Sequence, residues 1–195
     1  MADDQDLNVL LNLVRDCRLC EAHLPLGPRP VVQLGKGARI LIIGQAPGTK
    51  VHDSAIPWND ASGERLRDWM GIGPQDFYDP QKMALMPMGF CYPGKGKSGD
   101  LPPRPECAPY WHDRIKSHLN QIRLTLLVGQ YAQKAYWPDG NRLGLTENVR
   151  HYKQAAPHIM ALPHPSWRVQ KWMSDNGWFE SEVLPVLRTR IAEIL

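Results

Sequence analysis

Arg39-Ile40-Leu41-Ile42-Ile43-Gly44-Gln45-Ala46-Pro47-Gly48, followed by Ile56-Pro57-Trp58 and Ser62-Gly63-Glu64-Arg65-Leu66, is the stretch that decides the fold. An apolar, β-branched run stops at a glycine, turns through Ala-Pro-Gly and opens an amphipathic helix. Such a run reads as a buried central strand. In open α/β sheets, ligands sit off the carboxyl ends of these strands. The glycines let backbone approach a ligand that a side chain would hold away.

The same reading extends outward. Leu7, Leu10, Leu11 and Val14 fall at helical spacing and predict a first helix ending near Cys17. Residues 24–38 form an irregular connection, and a helix is expected from Ser62 to Met70. Met83–Phe90 is a second strand-like run, with Pro87 marking its irregular part or its end. Residues 91–109 are a Pro/Gly-rich excursion, and a helix is expected over 109–120. Arg123–Val128 reads as a third strand, turned by Gly129-Gln130-Tyr131-Ala132 into a helix that Pro138 stops. His158–Leu162 reads as a fourth strand, delivering Pro163-His164-Pro165-Ser166-Trp167-Arg168. A last helix carries Phe179, Val183, Leu184, Leu187 and Ile191 on one face. Helices alternating with apolar strands predict an α/β protein: a three-layer α/β/α sandwich around a mostly parallel four-stranded sheet. With no internal repeat and no long linker, residues 1–195 read as one domain.

Composition bounds this picture. The 195 residues are 43% hydrophobic and 22% charged, ordinary values for a chain that buries a full core. A net charge of +3 permits nucleic-acid binding without arguing for it. The acidic opening Met-Ala-Asp-Asp-Gln-Asp is no signal peptide, and no apolar run approaches membrane-spanning length. The expectation is a soluble, cytoplasmic monomer. Eighteen prolines and sixteen glycines predict long structured loops.

The cysteines are Cys17, Cys20, Cys91 and Cys107. In a cytoplasmic protein they are poor candidates for disulfides, so ligation competes with plain burial. Cys17 and Cys20 form a Cys-x2-Cys at a helix end, where both thiols reach one centre. Spacing leaves zinc and a [4Fe–4S] cluster both open. Gly94-Lys95-Gly96-Lys97-Ser98 suggests a phosphate loop, but the glycines and the Ser/Thr are misplaced for one.

The ordered set resembles the iron–sulfur branch of the uracil-DNA glycosylase superfamily, often called family four. Its residues are the Cys-x2-Cys before the first strand, Gly44-Gln45-Ala46-Pro47-Gly48, the aromatic Trp58 after a proline, Val128-Gly129-Gln130-Tyr131-Ala132, His164-Pro165-Ser166, and two further cysteines flanking a Pro-rich loop. The resemblance runs from about Cys17 to Trp178. It implies a [4Fe–4S] cluster on Cys17, Cys20, Cys91 and Cys107, pinning the N-terminal helix to the loop after the second strand. It also implies base-excision repair of uracil or another deaminated base in DNA.

The chemistry explains the residue types. Cleaving an N-glycosidic bond builds positive charge on the sugar and negative charge on the departing base. Extruding the base costs a few kcal/mol, and an aromatic face such as Trp58 returns about 1–3 kcal/mol by stacking. His164 and loop N–H groups, as in an oxyanion hole, stabilise charge on the base. By the resemblance, Gln45 with Gly44, Ala46, Pro47 and Gly48 holds water and base. Ser166, Trp167, Arg168 and Val169 belong to the loop that enters the minor groove, with Trp167 or Val169 as the wedge. Arg168, Lys171, Lys95, Lys97 and Arg104 are candidate phosphate contacts.

Two departures bear on chemistry. Gln45 stands where the family has Glu, so it orients water but takes no proton; Asp53, Asn59 and Asp60 are nearby substitutes. Pro87 stands where the family has an Asn that reads uracil, so the base is left open. The alternative function is a non-catalytic module binding damaged or abasic DNA. A third reading is a zinc-stapled protein unrelated to DNA.

Overall fold

The computed structural model describes residues 6–138, 143–153 and 158–195; the acidic opening, residues 1–5, lies outside them. Helix α1 (Leu7–Arg15) starts at Asp6, whose side chain accepts from the Asn8 N–H. A long irregular connection then leads to β1 (Ile40–Ile43). Helices α2 (Thr49–Ser54), α3 (Ala61–Met70) and α4 (Pro74–Phe77) precede β2 (Met83–Leu85). A small antiparallel hairpin, β3 (Lys95–Gly96) and β4 (Gly99–Asp100), follows, and then α5 (Cys107–Lys116). The chain continues through β5 (Leu124–Val128), α6 (Gln130–Tyr136), α7 (Leu145–Arg150), β6 (Ile159–Leu162), α8 (Val169–Asp175) and α9 (Leu184–Ile194).

The main sheet has the order β2-β1-β5-β6, and every pairing in it is parallel. All four carboxyl ends therefore point the same way, and the loops after β1, β2 and β6 meet at one edge. Side chains alternate across the sheet. Ile40, Ile42, Leu126 and Met160 face α3, α9 and the π-helical turn Phe179–Val183 through Leu66, Trp69, Phe179 and Leu187. Leu41, Ile43, Ala84 and Leu127 face α1 and α5 through Leu10, Val14, Trp111 and Ile115. This is the expected α/β/α sandwich.

Three features add detail to these expectations. The run Met83–Phe90 is a strand only to Leu85, because the backbone beyond it bonds to the loop after β1: Met88 N–H donates to the Gly44 carbonyl at 2.9 Å and Gly89 N–H to the Gln45 carbonyl at 3.0 Å. The excursion 91–109 holds the β3–β4 hairpin, which its Gly/Lys composition did not announce. The last helix is broken by the π-helical turn before α9.

Pro87 is fixed from behind. His112, 1% exposed, lies between Phe90 and Tyr136 with ring centroids 5.7 Å away on each side. Its Nε2 donates to the Pro87 carbonyl at 3.0 Å, leaving Nδ1 to accept from the Tyr136 hydroxyl at 2.6 Å. Burial, the largest cause, pushes the His112 pKa down to about 4.

In the unfolded chain this imidazole protonates near pH 6.5. Between about 6.5 and about 4 the unfolded state thus binds the extra proton, and stability falls as pH drops. The loss amounts to about 3 kcal/mol. Urea midpoints across this window should fall with pH in the wild type and less steeply in His112→Gln. Equal slopes would remove His112 as the cause.

Candidate functional site

A cleft of about 390 Å³ opens at the carboxyl ends of the strands. It is lined by Gln45, Ala46, Pro47 and Gly48 after β1, by Pro57, Trp58, Asp60 and Ser62 before and within α3, by Pro87, by Ser98-Gly99-Asp100 of the hairpin, and by His164, Ser166, Trp167 and Arg168 after β6. Residues separated by more than a hundred positions thus converge on one volume.

Trp58 forms one wall. Its ring stacks on His164 at 6.0 Å between centroids, with a 30° interplanar angle. The residue has φ +58, a left-handed conformation that costs a non-glycine residue about 1–3 kcal/mol and that clusters at functional sites. Packing holds it there. A Cβ on Gly63 would lie 1.8 Å from the Trp58 carbonyl oxygen, and one on Gly44 would lie 2.6 Å from the indole. Gly44 is buried beneath the indole and does not line the cleft. Its role is to make room for Trp58. The Tyr78 hydroxyl donates to the Trp58 carbonyl at 3.4 Å.

His164 sits at the end of β6, one residue beyond Pro163. Gly129 N–H donates to the Leu162 carbonyl at 2.9 Å, and so does the buried Gln133 Nε2. Gly129 has φ +86, and a Cβ there would lie 3.2 Å from the His164 Cβ. Arg65 of α3 donates to the Pro165 carbonyl at 2.8 Å, tying this loop to the helix that carries Gly63. Burial lowers the His164 pKa, and Asp60 opposes this weakly. The imidazole is accordingly neutral near pH 7 and has one N–H to donate.

The loop beyond His164 divides. Trp167 is 73% exposed at the cleft mouth. Val169 is 4% exposed and packs in the core as the first residue of α8, so it is not a wedge. The reason is helical geometry: the first turn of α8 presents this side to the sheet. Arg168 packs over the Trp167 ring at 5.2 Å and donates to the Ser98 carbonyl of the hairpin. Arg104 is also reassigned, since its guanidinium is bound by Glu106, with Nε at 3.1 Å. Lys95 and Lys97 are exposed on the hairpin. Of the water-orienting candidates, Gln45 and Asp60 line the cleft, whereas Asp53 and Asn59 are exposed and lie outside it.

The four cysteines surround a separate small pocket lined mainly by Leu24, Pro28, Pro30, Phe90 and Trp111, with Arg104 at its edge. All four are free thiols. Three are aimed at by N–H donors: Trp111 Nε1 reaches Cys17 Sγ at 3.4 Å, Phe90 N–H reaches Cys107 Sγ at 3.3 Å, and the Arg29 backbone reaches Cys91. Burial pushes Cys91 up to about 11 and Cys107 up to about 12. Donors aimed at sulfurs in a low-dielectric pocket suit bound thiolates, whose charge a metal centre supplies the means to hold.

Parallel α/β/α layers with an aromatic-walled, polar cleft at the strand ends define an α/β ligand-binding domain. A family model described as the uracil DNA glycosylase superfamily matches residues 32–188, and the chain belongs to that superfamily. Membership implies a hydrolase of the DNA glycosylase kind, with DNA as its partner. The match includes Cys91 and Cys107 and begins after Cys17 and Cys20. Among the described residues no helix is long and apolar enough to cross a membrane.

Replacing Gly63 with Ala should destabilise the protein by about 1–3 kcal/mol, the cost of overpacking against backbone. It should also disturb the near-ultraviolet signal of Trp58, measured by circular dichroism alongside urea unfolding. A variant as stable as wild type with an unchanged signal would contradict the packing described.

Proposed function

We propose that the protein removes uracil or another deaminated base from DNA by hydrolysing its N-glycosidic bond, as a step of base-excision repair. The observation that carries this reading is Trp58 stacked on neutral His164 in the wall of a cleft that the Gln45–Gly48 loop also lines. A flipped base stacks on Trp58, recovering about 1–3 kcal/mol of the unstacking cost. His164 donates to the base's carbonyl oxygen as negative charge develops there. Gln45 orients water and base within the loop of Ala46, Pro47 and Gly48. Trp167 takes the place the base vacates in the duplex, and Lys95 and Lys97 meet phosphates.

Cys17, Cys20, Cys91 and Cys107 would hold a [4Fe–4S] cluster. Among the described residues no three His, Cys, Asp or Glu are grouped so as to hold a metal ion. What supports the cluster is the resemblance and the one pocket that all four thiols line. The cluster would serve as a covalent staple, joining the end of α1 to the segment between β2 and α5. Pro87 presents no side-chain donor and its carbonyl is taken by His112, so the base is read by other groups.

Base release from oligonucleotides carrying uracil, hypoxanthine or xanthine tests the reading. Wild type should release at least one of them, and His164→Ala should be slower by about 10²–10³-fold, as for loss of an oxyanion donor. Anaerobically purified protein should absorb near about 400 nm, where thiolate-bound clusters absorb, and should contain iron. Tight binding of abasic DNA with no release of any base would instead indicate a non-catalytic DNA-binding module. Colourless protein containing zinc would overturn the cluster.

A further inference from the structure

Hydrolysis requires a proton acceptor for the attacking water, and the cleft contains a carboxylate that no sequence pattern singled out. Gln45 takes no proton. Asp60 lines the cleft, but its Oδ1 accepts from the Gly63 N–H at 2.8 Å as the cap of α3. Asp100, at the end of the β3–β4 hairpin, also lines the cleft. Its Oδ2 would lie 3.4 Å from a Cβ built on Gly48, which places the carboxylate over the loop after β1. Among the described residues no donor and no cation reaches hydrogen-bond or ion-pair distance of it.

The hairpin is held in this position from two sides. Gly94, at φ +105, lies against Pro25, and Leu101 N–H donates to the Gly94 carbonyl at 2.8 Å. Arg168 donates to the Ser98 carbonyl from the loop that carries His164. Cys91 and Cys107 flank the hairpin in sequence, so a cluster on the four thiols would also fix its roots.

Resting on the glycosylase reading above, we propose that Asp100 is the residue that takes a proton from the attacking water. The water oxygen bonds to the sugar C1′ as the bond from C1′ to the base nitrogen breaks, and that bond's electron pair leaves with the base. One water proton passes to Asp100 and then to solvent. The departing base, held by His164, takes up a proton, so the products are the C1′ alcohol and the free base. No oxidant or reductant enters.

The charged and titratable groups facing Asp100 are Lys95 directly across the hairpin, Asp60 from the start of α3, and His164 and Arg168 from the loop after β6. Asp100 is exposed at the cleft mouth, and partial desolvation of its carboxylate is the largest cause raising its pKa, while Lys95 lowers it and Asp60 raises it. A carboxylate raised in this way is a stronger base, and it loses activity as pH falls through its pKa.

The test is single-turnover release of the best base from the panel as a function of pH, with DNA affinity measured alongside. Asp100→Asn should slow release by about 10²–10⁴-fold and abolish the acidic limb of the profile. Its DNA affinity should stay close to wild type. Asp100→Glu should restore part of the rate with a shifted limb. Release by Asp100→Asn within about threefold of wild type, with the same limb, would overturn the proposal while leaving the glycosylase reading intact. If Asp100→Asn fails to fold, an acidic limb that Asp100→Glu leaves unshifted would overturn it. A wild type that releases no base withdraws the glycosylase reading and this proposal together.

Discussion

Trp58 and His164 face one another because two glycines let backbone come closer than any side chain allows. A Cβ on Gly63 would lie 1.8 Å from the Trp58 carbonyl oxygen, and one on Gly129 would lie 3.2 Å from the His164 Cβ. The first contact seats the wall of the cleft on α3, and the second seats the histidine on the turn after β5. Arg65 joins the two by donating from α3 to the Pro165 carbonyl at 2.8 Å. Strain at Trp58, with φ +58, is sustained because these neighbours leave no alternative. The parallel sheet supplies the frame, since its common direction brings the loops after β1, β2 and β6 to one edge.

Electrostatics follow from this closeness. Burial keeps His164 neutral, so it offers an N–H to a developing anion without carrying a charge that must be desolvated. Carboxylates enter the cleft from α3 and from the hairpin and differ in freedom, one being a helix cap. The cysteine pocket lies between the end of α1 and the start of α5, and Cys91 and Cys107 stand at the two ends of the excursion that carries the hairpin.

Much of this is legible in the chain alone. Apolar runs ending at Gly44, Gly129 and Pro163 mark the strands and the loops at their carboxyl ends, because a fully buried strand must be continuous in apolar residues. Gln45 and His164 stand at those same ends, and the resemblance to the glycosylase superfamily is what adds Trp58 and gives all three their roles. What is not legible depends on long-range partners. Pro87 marks the end of the second strand in the sequence, but its carbonyl on His112, twenty-five residues on, carries no local signal. Val169 reads as a wedge beside Trp167 and is instead core, because α8 begins at that residue. Asp100 stands in a Gly/Lys-rich run without local signal, and the contact of Ser98 with Arg168, seventy positions away, helps bring its hairpin to the cleft.

The most direct measurement is a crystal structure of His164→Ala with an oligonucleotide bearing the base that wild type releases. The account predicts that base out of the helix and inside the cleft, its face on Trp58 and its edge toward the Gln45–Gly48 loop, with Trp167 at the gap in the duplex. A base still stacked in the duplex, or DNA bound on another face with the cleft empty, would contradict it.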